Sequence, residues 1–373
     1  NLYVDEKMRL GGDFQIACAP GESVQVRLPF AEELAEGGLP AGSEAFLNLE
    51  AVLKEDTLWA KAGYAAAKGQ FITGSRSDGM DCIDAKGELR ISDTFGAWII
   101  TGKDFEYRFS KRSGALYSIR RNGTEYLKEP LSCNFWRAST DNDRGSRHSW
   151  RSMVWRYAGQ QAFKWVMEPQ KKDNCVVVPM KFILPISMEI TLETTVTIHP
   201  DGTLVFDNTW SGGKNLPDIP EIGLMFTLPA GFDRMEWHGR GEHENYIDRK
   251  ESAFVGTWQS KVADRMVPYL MPQECGNMLD VRRLTVVNRK GGCLTFTGLP
   301  TVEANVLPYT PEEMEVASHH KDLPQSDKTV VRINYKQMGV GGDDSWSPRG
   351  CAHEEFRIKA EDACSFSFAV KPE

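Results

Sequence analysis

No run in this sequence is apolar for long enough to cross a bilayer as a helix. The strongest apolar stretch, Cys175 to Met188, is broken by Pro179, Lys181 and Pro185 and falls short of the roughly 18 to 20 residues a span needs. Basic charge is not in excess either. The 44 Lys plus Arg residues face 52 Asp plus Glu, for a formal charge of -8, so no stripe is set to neutralise phosphates and nucleic acid is not an expected partner. Cysteine is sparse, at eight in 373 residues with no C-x-x-C pair, which argues against a disulfide scaffold and for reduced thiols. The cytoplasm is the expected compartment, with the periplasm as the alternative. A G-x-S-x-G elbow and a G-x-x-x-x-G-K-[ST] loop are both missing. Gly339-Val340-Gly341-Gly342 lacks the preceding strand and following helix of a dinucleotide site.

What the chain has is size and period-two alternation. With 41% hydrophobic and 10% aromatic residues, it can fill two or three ordinary cores. From Ile186 to Ile198 the even positions are apolar or Thr194, and the odd ones are Ser, Glu or Thr, which predicts a strand with one buried face. His199-Pro200-Asp201-Gly202 supplies turn chemistry, and Leu204, Phe206 and Trp210 continue the parity on a second hairpin arm. Phe105, Tyr107 and Phe109, and again Cys364, Phe366, Phe368 and Val370, alternate in the same way. Helical signals are few: Ala31 to Gly37 suits a turn or two, and the Ala-rich Glu55 to Lys68 has helical composition without a clean apolar stripe. With 33 glycines and 19 prolines as punctuation, this pattern predicts an all-β sandwich architecture. Gly74 to Gly79 is small, polar and turn-rich, placing a boundary near residues 70 to 85. The start at Asn1, without an initiator Met, suggests a processed chain or a piece of a longer one.

Candidate chemistry is thin until the tryptophans are considered. Asp141-Asn142-Asp143-Arg144-Gly145 places oxygens at one, three and five, but its glycine comes one position early for a calcium loop and no Glu stands at the twelfth place. A structural Asx-turn is the favoured reading. His238, Glu242, His243 and Glu244 fit no H-E-x-x-H zinc helix and read as solvated loop residues. Asn122-Gly123-Thr124 is a formal glycosylation sequon, read as a turn. Trp136, Trp150, Trp155, Trp165, Trp237 and Trp258 are expected to pack internally. Trp346 differs. It lies in Gly341-Gly342-Asp343-Asp344-Ser345-Trp346-Ser347-Pro348, a turn-forming loop where a large ring needs something to cover it, and a sugar face is one candidate.

Four segments carry a family resemblance. Phe135 to Asp143 (FWRASTDND), Gly239 to Arg249 (GRGEHENYIDR), Val267 to Glu274 (VPYLMPQE) and Met338 to Pro348 (MGVGGDDSWSP) together resemble the C-terminal region of bacterial β-galactosidases of glycoside hydrolase family 2. The likeness is specific over about residues 80 to 373 and weaker over the N-terminal part. It implies a large antiparallel supersandwich of galactose-mutarotase type at 79–373, preceded by a partial immunoglobulin-like β-sandwich at 1–78, and it turns Glu55 to Lys68 from helix into loop and strand.

The resemblance also implies a division of labour. In that family the catalytic glutamates sit in a (β/α)8 barrel, with the magnesium and sodium there as well. This chain, which shows no parallel βα pattern, is then expected to hold no catalytic residue, metal or cofactor of its own. Its partners are a galactoside substrate, the N-terminal and barrel domains, and further copies in a homo-oligomer. Trp346 matches the family tryptophan that stacks on the group in the aglycone subsite, with Asp344 and Ser345 shaping its loop. Trp155 to Gly159 resembles a loop that shifts as ligand settles, with Gly159 at the pivot. Two other readings stand beside this one: a mutarotase-type aldose 1-epimerase using His238 with Glu242 or Glu244, and a free-standing carbohydrate-binding module.

Overall fold

The computed structural model describes residues 1–28, 42–74, 83 and 86–373. The chain divides into two compact units, Asn1–Asp78 and Gly79–Glu373. The short helix expected over Ala31 to Gly37 and most of the boundary loop lie outside the described residues.

In the first unit, strands Leu2–Val4, Lys7–Leu10, Glu44–Val52 and Ala65–Gly74 form one antiparallel sheet among the described residues. Leu2 and Ala45 are buried beneath Val4, Leu10, Leu28 and Leu47. The segment 55–68 is turn and strand, as the resemblance implies. Thr57 and Ala60 exchange hydrogen bonds, Asp56 bonds the Ala62 amide at 3.1 Å, and the strand begins at Ala65.

The second unit is all-β apart from short helical turns. A five-stranded meander, from Arg90–Asp93 to Thr124–Glu125, lies against a thirteen-stranded antiparallel sheet counted among the described residues. The hairpin read from residues 186 to 210 forms as Thr191–Ile198 against Leu204–Trp210, with Val196 opposite Phe206. Its first arm starts five residues later than the alternation suggests. Residues 186–190 instead turn, the Leu184 amide bonding Ile190 and the Ile190 amide bonding Ser187, and Met188 is exposed. Asn122 (φ 48°) and Gly123 (φ 81°) make the expected tight turn, a left-handed pair that suits a two-residue hairpin.

Alternation explains both faces of the central strands. In Glu221–Pro229, Cys293–Leu307 and Lys328–Gln337, one parity places Leu224, Phe226, Ala304, Val306, Val331 and Ile333 in the apolar core. Phe206, Phe226 and Phe368 meet there with ring centroids 5.1 to 6.1 Å apart. The opposite parity is polar and equally buried. Register sets Glu303 against Asn334 and Asn305 against Arg332, and Gly223 against Asn334. Segment 273–277 covers this face, with the Arg332 guanidinium lying between Glu221 (2.5 Å) and Glu274 (2.8 Å). Burial pushes the Glu221 carboxyl up to about 7, with Arg332 opposing and Glu274 adding to the shift. Seven cysteines among the described residues are free thiols, while Cys82 lies outside them. No helix among the described residues is long and apolar enough to cross a membrane.

Removing one partner from a buried ion network leaves uncompensated charge. Arg332→Met is expected to cost about 3–5 kcal/mol in urea unfolding near neutral pH. Because Glu221 has a folded-state value above its unfolded one, its contribution to stability is present in acid and is lost as pH rises through about 7. The penalty of Arg332→Met is therefore expected to be smaller at acid pH than at alkaline pH.

Candidate functional site

The exposed indole of Trp346 stands on backbone held from several sides. Arg137 is only 1% exposed. Its guanidinium is paired with Asp143 at 3.0 Å and donates to the carbonyls of Met338 and Gly339, the latter at 2.8 Å. Here the segment 338–350 leaves the sheet. Asp248 Oδ2 then accepts from the Val340 and Gly341 amides, both at 2.8 Å. Asn142 Nδ2 donates to the carbonyls of Asp344 and Gly350 at 2.9 and 3.0 Å, spanning the neck of the loop.

Within the loop, Asp344 does the local work. Its Oδ1 accepts from the Trp346 and Ser347 amides at 3.1 and 2.9 Å, and its Oδ2 from Ser347 Oγ at 2.6 Å. These donors hold the Asp344 carboxyl below the usual carboxylate range, the Ser347 hydroxyl contributing most. Asp343 pairs with His353 at 2.9 Å, and Ser345 is exposed. The result is a tryptophan 78% exposed at the tip of a loop whose backbone is bonded on both sides.

Three of the four sequence motifs thus converge on one loop. FWRASTDND supplies Arg137, Asn142 and Asp143, GRGEHENYIDR supplies Asp248, and MGVGGDDSWSP is the loop itself. The fourth, VPYLMPQE, braces the support: the Asp141 amide donates to Gln273 Oε1 at 3.1 Å, and Arg144 Nη2 to the Pro272 carbonyl at 3.2 Å. Sequence reasoning singled out Trp346, Asp344 and Ser345 but missed Arg137, Asn142 and Asp248, which act on the loop from 92 to more than 200 positions away. The available signal was an Arg and an acidic pair within one nine-residue motif, FWRASTDND.

Several expectations need correction. Residues Asp141–Gly145 are not an Asx-turn but a short helix. Thr140 is its N-cap, and Asp143 closes a capping box by accepting the Thr140 amide. The carboxylate does receive backbone N–H, but through helix capping. His238 is no loop residue. It is buried in strand Phe232–Gly241 with Nδ1 3.2 Å from Thr257 Oγ1, while Glu244 accepts from Arg249 and from the Gly276 amide, each at 2.7 Å. Only Glu242 and His243 of that group are exposed. Among the tryptophans, Trp136, Trp155 and Trp237 are buried as expected, but Trp150 is 75% exposed and Trp165 is exposed as well.

Gly159 is buried, and a Cβ there would come 2.1 Å from the Cys133 carbonyl oxygen. Its glycine identity follows from close approach to strand Glu129–Asn134. The neighbouring Arg156 is held by Glu312 through two bonds of 2.9 and 2.8 Å. Away from these elements, a groove of about 560 Å³ is lined in part by Arg108, Ser110 and Tyr117 and contains none of the residues singled out above. Among the described residues no group of three or more His, Cys, Asp or Glu is arranged for a metal ion.

The tightest contact beneath the tryptophan is at Gly145, where a Cβ would lie 1.9 Å from the Ser345 carbonyl oxygen and 3.0 Å from Trp346 Cα. Gly145→Ala is expected to displace the loop and not the fold. Limited proteolysis at 341–349 should accelerate while the far-ultraviolet circular dichroism stays unchanged.

Comparison with known proteins agrees with this assembly of motifs. The family described as Beta galactosidase small chain matches residues 101–370, and Beta-galactosidase, domain 4 matches residues 1–73. A β-galactosidase of Priestia megaterium is 39% identical over 329 residues, covering 88% of this chain and 32% of that protein. One from Halalkalibacterium halodurans is 36% identical over 357 residues, covering 94% and 34%. The chain spans about a third of the length of these relatives. Among solved structures, a galactose mutarotase related enzyme of Lactobacillus acidophilus aligns over 74% of this chain and 97% of its own, at TM-score 0.41 and 10% identity, a likeness too loose to carry an argument about function. On the two family matches and the identity to its relatives, the chain belongs to the β-galactosidase family, with residues 101–370 as its small-chain module.

Proposed function

We propose that this chain is the non-catalytic C-terminal part of a β-galactosidase that hydrolyses terminal β-D-galactosides, and that Trp346 is an aromatic wall of the sugar site. The supporting observation is the exposure of this ring on a loop whose backbone is fixed by Arg137, Asp248, Asn142 and Asp344. Exposing an indole forgoes its burial, and fixing the backbone that carries it lowers the entropy cost of ordering the loop when the ring stacks on a ligand. A pyranose presents an apolar C–H face to such a ring and leaves its hydroxyls for hydrogen bonds at the edge.

Asp344 and Ser345 set the loop geometry in this reading, and Gly159 is the pivot of the 155–159 segment. Hydrolysis with retention needs two carboxyl groups about 5 Å apart across the scissile bond. That pair is assigned to the remaining two thirds of the length seen in the relatives, as are any magnesium and sodium that serve the reaction. Assembly of the chain with that portion, and of the whole into a homo-oligomer, belongs to the same proposal.

Two measurements test it. The purified 373-residue chain is expected to show no turnover of a chromogenic β-galactoside. Robust turnover lost on changing a carboxylate within these residues would contradict the reading, and polarimetric interconversion of α-galactose would favour an epimerase. In the enzyme that contains this chain, Trp346→Ala should weaken binding of glucose in the aglycone position roughly tenfold, about 1.4 kcal/mol. Thermal stability should stay nearly unchanged. Equal affinity in both forms would exclude the stacking role.

A further inference from the structure

Residues 148–158 form one run of short helical turns. The helix His148–Arg151 leads into the 3-10 turn Met153–Trp155. Along it the Ser152 amide bonds the His148 carbonyl, Trp155 that of Ser152, Arg156 that of Met153 and Ala158 that of Trp155. At helical spacing, residues three and four apart share a face. One face is turned into the second unit. Ser152, Trp155 and Ala158 are at most 1% exposed, with Ser152 Oγ donating to the Asp218 carbonyl and Trp155 Nε1 to the Pro217 carbonyl, both at 3.1 Å. The opposite face carries Trp150, Met153, Val154 and Tyr157, spaced i, i+3, i+4 and i+7, and all four are exposed.

A helical segment that packs by one face normally turns polar residues outward, and one that is apolar on both faces is covered on both. This face also extends beyond its own segment. Arg156 is clamped by Glu312, and Tyr157 Oη lies 3.5 Å from the same carboxylate. In the helix Pro311–Val316, Val316 follows Glu312 by four residues, on the same side, and it too is exposed. Five apolar side chains on two elements joined by an ion pair thus stand in solvent, and contiguous patches of this kind mark interaction surfaces.

Two observations identify what covers them. The chain spans only 32% and 34% of the length of two relatives to which it is 39% and 36% identical, and the small-chain match over residues 101–370 contains the whole patch. The patch is also continuous with the Trp346 site. Its segment follows directly on the helix Asp141–Gly145, whose last residue lies against the Ser345 carbonyl and Trp346 Cα. A portion of enzyme that comes up to Trp346 to complete the sugar site comes up to this segment as well.

We propose that Trp150, Met153, Val154, Tyr157 and Val316 form a docking surface for the remaining two thirds of a β-galactosidase polypeptide. The proposal rests on the reading of this chain as part of such an enzyme. It adds that the ring at Trp346 and this apolar face meet the same partner, so that closing the interface also closes one side of the sugar site. Trp, Tyr and Met supply the large, adaptable apolar contacts that interface centres favour.

Hydroxyl-radical footprinting read by mass spectrometry tests the surface, because Trp150, Met153 and Tyr157 are all readily oxidised when exposed. In the isolated 373-residue chain all three are expected to react freely, and in the enzyme that contains this chain they are expected to lose most of that reactivity. Equal reactivity in the two forms would overturn the proposal, as would protection already present in the isolated chain, which would assign the face to a second copy or to the chain's own residues. Benzoylphenylalanine in place of Val154 identifies the occupant. On irradiation of the enzyme, crosslinks to peptides outside the 373 residues support the proposal, whereas crosslinks only to peptides within them, or none, overturn it. The stacking role of Trp346 is read separately, by glucose affinity in Trp346→Ala, so either reading can fail while the other stands.

Discussion

The Arg137 guanidinium is the interaction on which the rest of the candidate site depends. A fully buried cation is tolerable only when its charge and its donors are both satisfied. Asp143 neutralises it, and the Met338 and Gly339 carbonyls take up further N–H groups. That arrangement constrains two distant stretches of chain at once. Asp143 must sit in the first turn of the helix Asp141–Gly145, which fixes Asn142 and Gly145 beneath the loop. The chain after strand Lys328–Gln337 must leave the sheet with its carbonyls turned toward Arg137. Once both are set, Asn142 and Asp248 reach the loop backbone that carries Trp346.

A second layer lies under the first. The central strands spend one face on the apolar core and the other on Glu221, Asn305, Arg332, Asn334 and Glu303, all buried. A polar face of this kind is expensive to desolvate and gives little net stability, but it permits few alternative registers, since a one-residue slip would carry these groups into the phenylalanine core. The loops that bear the motifs rest on this face, Glu274 of VPYLMPQE directly on Arg332. The exposed tryptophan is thus connected through hydrogen bonds and ion pairs to the buried polar face of the sheet.

Strands were legible in the sequence because a half-buried strand writes its two environments into alternate residues, as at Thr191 to Ile198 and Cys364 to Val370. The pattern misled at Ile186 to Ile190, where apolar residues keep the parity while Pro185 and Ser187 turn the chain. Trp346 was legible because glycines, aspartates and a proline around a large ring leave it little chance of burial. Its supports were not. Arg137 looks like any arginine, and its partners are a carboxylate six residues away and two carbonyls about two hundred residues away, a proximity created only by the fold. His238 misled in the opposite sense, because its loop-like neighbours at 242–244 hid its place inside a strand. The helix at Asp141 to Gly145 was missed because a five-residue helix has no periodicity to read, though Thr140 followed three positions later by Asp143 is a capping signal.

Amide hydrogen exchange at Val340, Gly341, Trp346 and Ser347 tests the central claim most directly. If the loop is held through Arg137, Asp248 and Asp344, these four amides exchange roughly a hundredfold or more slowly than an unstructured chain, and Arg137→Met abolishes the protection at Val340 and Gly341 while the sheet amides stay protected. Exchange at unstructured rates in the unaltered protein would contradict the account, because Trp346 would then be carried on a loop that the buried arginine does not hold.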